Sequence, residues 1–495
     1  MPRVTSDAWH LARRATLTPT IDIVREIEQA GIDGWLNQQL NPGNIVDSVA
    51  NGLVEKYYPG TTKENPADIV SYTGHSQTNF QAFKLSHHLV RAVVLRQVFG
   101  RRYLLEAMTE FFSDQIFVSA RGLAEWYVAH FNQVVLRRHA LGRFSDLLYA
   151  ALTHPGPLAY LNNNLNKSFN PTENLGRELL ELHTVGVGNY TEQDVKQSAK
   201  ILTGHTFNQW SLNYVYNAAD HDTSAVTVRV TGGPEFNYPA HAAADGPAQL
   251  RAYANYLATH PATAKRLALR LCRRFVSDTP PQALVDRLAG VYTANGTDLK
   301  PVLKALFTSQ EFKDAKGQKW KRPQEAIHSM LRAARVNNWT ATQPDTMNRP
   351  WDSMNFYWFV ADMAGHLPRW WGAVDGYPDT NEDWLTSGTL RAYWYAAESV
   401  GWRWGIWTDE WSIPPIQQTF PINNGEPLRV AAERLTWDLT GWRWADRDLT
   451  VVESMLYSMG RDAAPYWVTV NEGMKQYHLP QTISLIMASP YFSMR

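Results

Sequence analysis

Residues 171–204 read PTENLGRELLELHTVGVGNYTEQDVKQSAKILTG and combine a cluster of charges with an apolar stripe. The charged side chains of the first half are Glu173, Arg177, Glu178 and Glu181. Helical spacing of three or four residues lets several of them share one flank, while the leucines between them supply a face that a helix buries. Carboxylates on a partly buried helix need an arginine, a metal ion or a proton as a partner. This segment is therefore the first candidate for a chemical site.

The same segment predicts its own helix boundaries and, with its surroundings, the fold class. The Val-Gly-Val-Gly run at 185–188 ends the first helix, and Thr191 with Asp194 forms a near capping box for the next one. Helical periodicity of apolar residues extends over 81–153 and returns after residue 246. We therefore predict an all-α fold built around one large multi-helix domain.

Between these helical regions, residues 205–242 change character. Polar, aromatic and β-branched residues alternate around TVRV, and a Gly-Gly-Pro run follows as a turn signal. We predict one small β-hairpin in this excursion. A helical core at 1–345 would carry the acidic motif and the excursion, and a Trp-rich helical region at 346–495 would pack on that core as one continuous unit.

The stretch ENLGRELLELHTVGVGNYTEQDV at 173–195 closely resembles the signature of the bacterial domain of unknown function 1800 family. Further stretches match that family in the same order: HLARRATLTPT (10–20), HALGRFSDLLYAALTHPGPLAYLNNNLNKSFNP (139–171), HPATAKRLALRLCRRFVSD (260–278), DGYPDTNEDWLTSGTL (375–390) and MASPYFSMR (487–495). The resemblance implies a mostly helical bacterial protein, often exported and often encoded beside a sulfatase-like partner protein. It implies no established activity.

The chain departs from the family pattern in one run. Family members commonly carry Trp-His-Asn-His-Phe after a Leu-rich helix, which looks like a pair of metal ligands. The matching run here is Phe112-Ser113-Asp114-Gln115-Ile116, and both histidines are missing. This difference weighs against a metal-dependent activity.

Composition excludes several classes of function. The 47 basic and 47 acidic residues leave no net charge, which argues against nucleic-acid binding because phosphate contacts need a basic surface. No run of about 18 apolar residues exists, so we expect no membrane span. No P-loop, Rossmann, zincin or nucleophile-elbow motif is present. The N-terminal residues lack the apolar stretch of a secretory signal, so we expect a cytoplasmic protein unless a leader was removed.

Tryptophan is over-represented, with 20 residues, many of them late in the chain. The late group comprises Trp351, Trp358, Trp370, Trp371, Trp384, Trp394, Trp402, Trp404, Trp407 and Trp411. Flat aromatic faces stack on sugar rings, so a Trp-lined cleft suits a saccharide. We name as substrate-binding candidates Trp370, Trp371, Tyr377, Trp384 and Asp220. The alternative is that these aromatic rings fill a helical core.

A second polar candidate lies in the excursion, at Asp220-His221-Asp222. Adjacent Asp and His side chains suit metal ligation or acid–base work, since histidine titrates near neutrality. The run is similar to a His-Asp element of the family. The alternative is a turn in which the aspartates accept hydrogen bonds from their own backbone.

Our leading hypothesis is a hydrolase-like enzyme that uses clustered carboxylates in a Trp-lined cleft on a saccharide. Glu178 would act as the acid, with Glu181 or Asp222 as its partner, and the full catalytic set would be Glu178, Glu181, Asp222, Arg177 and Glu173. Glycoside hydrolysis uses such a pair of carboxyl groups on either side of the scissile bond.

Two other classes remain open. A metal-dependent oxidoreductase or hydrolase would use His221, Asp222, Glu178 and Glu181 as ligands of a divalent metal, although no cofactor is favoured. A non-catalytic scaffold or assembly protein would use the motif only as a buried ion network.

One geometric expectation connects the two polar elements. The excursion follows the motif after a single helix, and short connections favour spatial neighbours. We therefore expect Asp220, His221 or Asp222 within side-chain reach of Arg177 or Glu178. In that arrangement Asp222 would be the acceptor for Arg177, with Trp370, Trp371 or Trp384 on the same cleft.

Overall fold

The computed structural model describes residues 5–337, 355–402 and 413–495. In this part of the chain there are 26 α-helices. The first twelve are α1 (Asp7–Ala15), α2 (Ile21–Ala30), α3 (Ile32–Gln39), α4 (Ser48–Tyr57), α5 (Pro66–Thr73), α6 (Lys84–Phe99), α7 (Tyr103–Gln115), α8 (Val128–Phe131), α9 (Phe144–Leu152), α10 (Pro155–Tyr160), α11 (Asn174–Glu178) and α12 (Glu192–Ile201). Four tryptophans of the late group, Trp351, Trp404, Trp407 and Trp411, lie outside the described residues.

The remaining α-helices follow the β excursion. They are α13 (Gly246–Thr259), α14 (Pro261–Phe275), α15 (Gln282–Ala294), α16 (Leu299–Phe307), α17 (Gln310–Asp314), α18 (Pro323–Ala333), α19 (Asn355–Met363), α20 (Asn381–Trp384), α21 (Ser387–Trp402), α22 (Ile416–Thr419), α23 (Leu428–Thr440), α24 (Asp446–Ser458), α25 (Leu479–Met487) and α26 (Pro490–Ser493). The all-α prediction is confirmed. No helix in the described ranges combines the length and apolarity needed to cross a membrane.

The excursion at 205–242 forms two small antiparallel hairpins where one was predicted. The first pairs β1 (His205–Asn208) with β2 (Asn213–Tyr216), and the second pairs β3 (Val226–Val228) with β4 (Phe236–Tyr238). The TVRV run predicted as a strand supplies most of β3. The turn of the first hairpin contains no Gly or Pro, and Leu212 adopts the positive φ of 58° there. The sequence pattern missed this hairpin because the usual turn residues are lacking.

Two hydrophobic clusters form the interior. The first gathers apolar residues between Ala8 and Ala315, and the second gathers mainly those from Ala326 to Phe492 with one face of α6. The side chain of Trp370 packs against both clusters.

The acidic motif packs tightly against the next helix at Gly176. A Cβ atom at this position would lie 3.0 Å from the Ala199 backbone nitrogen and 3.2 Å from the Val195 carbonyl oxygen. Both contacts are backbone atoms of α12, so neither can move independently of its helix. The predicted capping box of Thr191 and Asp194 starts α12 as expected. Glycine at 176 therefore lets α11 and α12 approach each other.

We expect Gly176→Ala to destabilise the protein by about 1–3 kcal/mol, because the added methyl must separate two packed helices. Gly290, in the exposed interior of α15, has no neighbouring atom within 4 Å of a Cβ. Gly290→Ala is the matched control and should stabilise the protein by about 0.5–1 kcal/mol. Calorimetric unfolding of both variants checks the prediction, and shifts of the same sign would contradict it.

A buried cluster of charges joins elements of the two hydrophobic clusters. Its centre is Glu325 at the start of α18, which is 2% exposed. One of its carboxylate oxygens lies 2.6 Å from Arg274, 3.2 Å from Arg495 and 3.3 Å from Arg322. Burial by itself would raise the pKa of Glu325, but these three guanidinium groups outweigh burial and hold the pKa below the ordinary value of 4.5.

We expect Glu325→Gln to cost about 3–5 kcal/mol of unfolding free energy, because it leaves buried arginines without their shared carboxylate. Since the pKa of Glu325 is depressed in the folded protein, this stabilisation is complete above pH 4.5 and is lost as the pH falls below it. The matched control is Glu311→Gln, whose partner Arg287 is half-exposed, and it should cost about 1 kcal/mol or less. Thermal unfolding at about five pH values between pH 3 and pH 8 measures both effects. Equal losses for the two variants would refute the central role of Glu325.

Candidate functional site

The acidic motif is interrupted by a change of helix type. Helix α11 ends at Glu178, and the chain continues as a π-helical segment over Leu179–His183. Such short π segments occur frequently at functional sites. The change of helix type lies between Glu178 and Glu181, which are the two carboxylates predicted to form the acid–base pair.

Arg177 forms its ion pairs with carboxylates other than these two. Its two terminal nitrogens each lie 2.7 Å from a carboxylate oxygen of Glu192, and one lies 3.2 Å from Glu173. This bidentate pair ties α11 to the first turn of α12 on a solvent-exposed surface. The expectation that Asp222 supplies the acceptor for Arg177 was wrong, because Glu192 is nearer along the adjoining helix.

Three carboxylates meet on one face of the protein: Glu178, Glu181 and Asp375. The charges of Glu181 and Asp375 both act on Glu178, and those of Asp375 and Glu178 both act on the Tyr160 hydroxyl. That hydroxyl donates a hydrogen bond of 3.2 Å to the carbonyl of Ala373, which holds the Asp375 loop beside the motif. Glu178 and Glu181 are half-buried and Asp375 is exposed, so solvent reaches this face.

The environment distinguishes the two motif carboxylates. Partial burial, followed by the charge of Glu181, raises the pKa of Glu178 above its ordinary value of 4.5; Asp375 adds to the rise and Arg177 opposes it. Glu181 accepts a hydrogen bond of 2.6 Å from the Tyr190 hydroxyl. One carboxyl is thus biased toward its protonated form while its neighbour is held in place by a donor, as acid–base chemistry requires.

Two arginines of α14, one turn apart, lie near these carboxylates. Arg266 donates a hydrogen bond of 3.1 Å to the carbonyl of Leu182 and feels the charge of Glu181. Arg270 is half-buried and forms no hydrogen bond or ion pair with any residue in the described ranges. Burial lowers the pKa of Arg270, and the charges of Asp379, Asp114 and Asp375 oppose this shift, in that order. Its guanidinium group therefore lies among carboxylates without an ion pair to any of them.

The run that lacks the family histidines lies directly behind this face. Gln115 donates hydrogen bonds of 3.0 Å to the carbonyls of Leu182 and His183, at the end of the π segment. Asp114 accepts a hydrogen bond of 3.3 Å from the Tyr377 backbone nitrogen. These two side chains therefore link the end of α7 to the motif and to the loop that carries Asp375.

The aspartates of the excursion have partners of their own. Asp220 accepts a hydrogen bond of 2.7 Å from Asn217 and lies 3.5 Å from the Lys167 ammonium. Asp222 accepts a hydrogen bond from the backbone of the nearby turn and lies 3.6 Å from Lys200. Both aspartates thus form local turn contacts and surface ion pairs.

The excursion packs on α12 instead of on the acidic motif. The backbone nitrogens of Thr227 and Arg229, in and after β3, donate to the side chains of Gln197 and Asp194. His221 is buried and bonds to the carbonyl of Thr203. Within the described part of the chain, no hydrogen bond or ion pair joins residues 220–222 to Arg177 or Glu178. The structure therefore brings the Asp375 loop, and not the excursion, beside Glu178.

The four aromatic candidates have different environments. Tyr377 and Trp384 are 4% and 6% exposed, with their polar atoms bonded to nearby carbonyls. Trp370 is part of the interior packing described above. Trp371 is half-exposed, and its indole nitrogen donates a hydrogen bond of 2.9 Å to Asp375. Of this set, Trp371 offers an accessible ring beside the three carboxylates.

The described residues contain no group of three or more His, Cys, Asp or Glu side chains arranged to hold a metal ion. The alternative ligand set of His221, Asp222, Glu178 and Glu181 is divided between two regions, because the first two belong to the excursion and the last two to the motif. Three of its members, His221, Asp222 and Glu181, bond to other residues of this chain.

Sequence reasoning missed four residues of this face: Tyr160, Tyr190, Arg266 and Arg270. Tyr190 was within the quoted motif segment, two residues after its Gly-rich stop. The spacing of the two arginines was a usable signal. Arg266 and Arg270 stand four residues apart, so they lie on the same face of a helix. Nothing in the sequence near Tyr160 connects that residue to Asp375, 215 positions later along the chain.

Arg270 and Arg274, one turn apart on α14, should respond differently to the same substitution. Arg274→Met removes a 1% exposed partner of Glu325 and should cost about 3–5 kcal/mol. Arg270→Met removes a half-buried cation without an ion pair, so the thermal midpoint should stay unchanged or rise. Calorimetry of the two variants checks this, and a loss for Arg270→Met equal to that for Arg274→Met would show that Arg270 has a structural partner.

Comparison with known proteins agrees with the resemblance of residues 173–195. The family model described as "Protein of unknown function (DUF1800)" matches residues 10–494, nearly the whole chain. No curated protein and no solved structure gives a match. The chain therefore belongs to the DUF1800 family of proteins of unknown function.

Proposed function

We propose that this protein is a hydrolase that cleaves a saccharide by acid–base chemistry at Glu178. The observation that supports the proposal is the convergence of Glu178, Glu181 and Asp375, from separate segments, on a solvent-accessible face. Structural carboxylates inside this protein, such as Glu325, are sealed by arginines. The carboxyl group of Glu178 forms no hydrogen bond or ion pair with another described residue, which leaves it accessible to a substrate.

The proposed roles follow from the environment of each group. Glu178 acts as the general acid because its raised pKa keeps a larger fraction protonated near neutral pH. Glu181, oriented by Tyr190, acts as the base or nucleophile that glycoside hydrolysis requires on the other side of the bond. Asp375 replaces Asp222 of the original set, since it carries charge to the same face.

The substrate class follows from two neighbouring side chains. Trp371 provides an accessible aromatic ring for stacking on a sugar. Arg270 provides a guanidinium group without an ion pair in the described chain, and such a group binds carboxylate or sulfate in a bidentate fashion. We therefore propose an acidic saccharide, one that bears uronate or sulfate groups.

The test is incubation of the protein with neutral, uronate-containing and sulfated oligosaccharides. Hydrolysis is measured by the reducing ends that it releases. Glu178→Gln should lower kcat by about 10²–10⁴-fold, the usual contribution of a general acid. Activity of the unmodified protein should fall as the pH rises through the raised pKa of Glu178, because the acid then loses its proton. This alkaline limb should be absent from any residual activity of Glu178→Gln.

The matched control is Glu192→Gln, which alters a carboxylate next to the same helix that only pairs with Arg177. It should keep full activity. Failure of the whole substrate panel, or equal activity of Glu178→Gln and Glu192→Gln, would contradict the proposal. Unchanged phenotype for Glu178→Gln together with unfolding of Glu178→Leu would favour a scaffold, a role that the Arg177 bridge between α11 and α12 also suits.

A further inference from the structure

Two histidines of the excursion face each other through their Nε2 atoms. His221 follows β2 and is 5% exposed, whereas His241 follows β4 and is half-exposed. Their Nε2 atoms are 3.1 Å apart. An ordinary hydrogen bond at this distance requires a proton on one nitrogen and a lone pair on the other.

The environment of His221 determines its tautomer. Its Nδ1 lies 2.8 Å from the carbonyl oxygen of Thr203, which can only accept. The Thr203 hydroxyl, 3.4 Å away, donates its own proton to the carbonyl of Lys200. Nδ1 of His221 must therefore carry the proton, and in the neutral ring Nε2 is a bare lone pair.

His241 has the same tautomer. Its Nδ1 lies 3.3 Å from the carbonyl oxygen of Pro239, which again can only accept. Both Nε2 atoms thus direct lone pairs at each other when both rings are neutral. Two facing lone pairs repel, so the pair needs a positive charge at this point, supplied either by a second proton on one ring or by a metal ion bound to both Nε2 atoms.

A second histidine pair shows the arrangement that needs no cation. His130 Nε2 donates to the carbonyl of Glu64, which leaves its Nδ1 as an acceptor. His154 Nδ1 accepts from the backbone nitrogen of Gly156, which leaves its Nε2 as a donor. The two free positions meet at 2.9 Å as a normal hydrogen bond between neutral rings.

The surroundings of His221 offer one further ligand. A Cβ atom at Gly246 would collide with the Tyr216 hydroxyl and lie 2.9 Å from the His221 Nε2, so glycine lets the start of α13 approach both side chains. Gln249 is fully buried, and its amide acts on His221 as a hydrogen-bonding neighbour but has no partner elsewhere in the described chain. Buried amides are normally bonded, so Gln249 offers an oxygen ligand that the rest of the chain leaves unused. The half-exposed ring of His241 leaves a path from solvent.

We propose that His221 Nε2 and His241 Nε2 bind one divalent ion of the Zn²⁺ class. Zinc–nitrogen bonds of about 2.0–2.1 Å in tetrahedral geometry hold two ligand atoms about 3.3 Å apart, close to the separation seen here. The Nδ1–carbonyl bonds are the supporting contacts that orient metal-bound histidines. Gln249 Oε1 and water complete the coordination. The ion therefore connects the segments that follow the two hairpins to the start of α13.

The experiment is calorimetric titration of the chelator-treated full-length protein with Zn²⁺ alone. We expect one ion per chain, and a thermal midpoint that rises with zinc concentration because only the folded state holds the site. His241→Ala should weaken zinc binding by about 10–100-fold or more. His241 is half-exposed and outside the strands, so this variant is the milder of the two ligand substitutions.

His130→Ala is the matched control, since it removes one ring of the self-sufficient pair, and it should leave zinc binding unchanged. Anomalous scattering at the zinc edge provides a measurement that does not depend on a variant, and it should locate the ion between the two Nε2 atoms. Absence of stoichiometric binding, equal binding by His241→Ala, or an anomalous peak elsewhere would overturn the proposal.

Discussion

The buried carboxylate of Glu325 is the interaction on which the rest of the structure depends. It pairs with three buried arginines, Arg274, Arg322 and Arg495, of which Arg274 and Arg495 come from distant parts of the chain. Two of these arginines also approach Asp379, so the charge cluster extends to the loop that carries the candidate site. Buried charges are costly unless paired, and this requirement brings the two hydrophobic clusters into one arrangement.

The charge cluster also explains how the candidate site is assembled. The loop from Trp371 to Asp379 is held at one end by the buried arginines. In its middle, the side chains of Asp114 and Tyr160 bond to backbone atoms of the loop. These contacts bring Asp375 to Glu178 although about 200 residues separate them in sequence. The position of the Asp375 loop in the site therefore depends on the same ion pairs that stabilise the interior.

The molecule separates its polar chemistry into two regions. The carboxylate face combines Glu178 with a half-exposed aromatic ring and an arginine that lacks an ion pair in the described chain. The excursion, which packs on α12, holds His221 and His241, whose Nε2 atoms face each other while their Nδ1 atoms lie beside carbonyl oxygens. Unpaired polar groups such as these are exceptions in folded proteins, and each calls for a ligand, an ion or a catalytic role.

The sequence by itself determined the helical class, the capping box at Thr191 and the importance of the 173–195 motif, because helical periodicity, caps and family signatures are local in the chain. It also predicted strands in the excursion, although not the hairpin that turns at Leu212. Only the tertiary structure decided which polar groups meet. Arg177 pairs with Glu192 instead of Asp222, Glu178 lies near Asp375, and His221 contacts His241. Such long-range pairing depends on how the helices pack and on where buried charges find partners. Neither leaves a periodic pattern in the sequence.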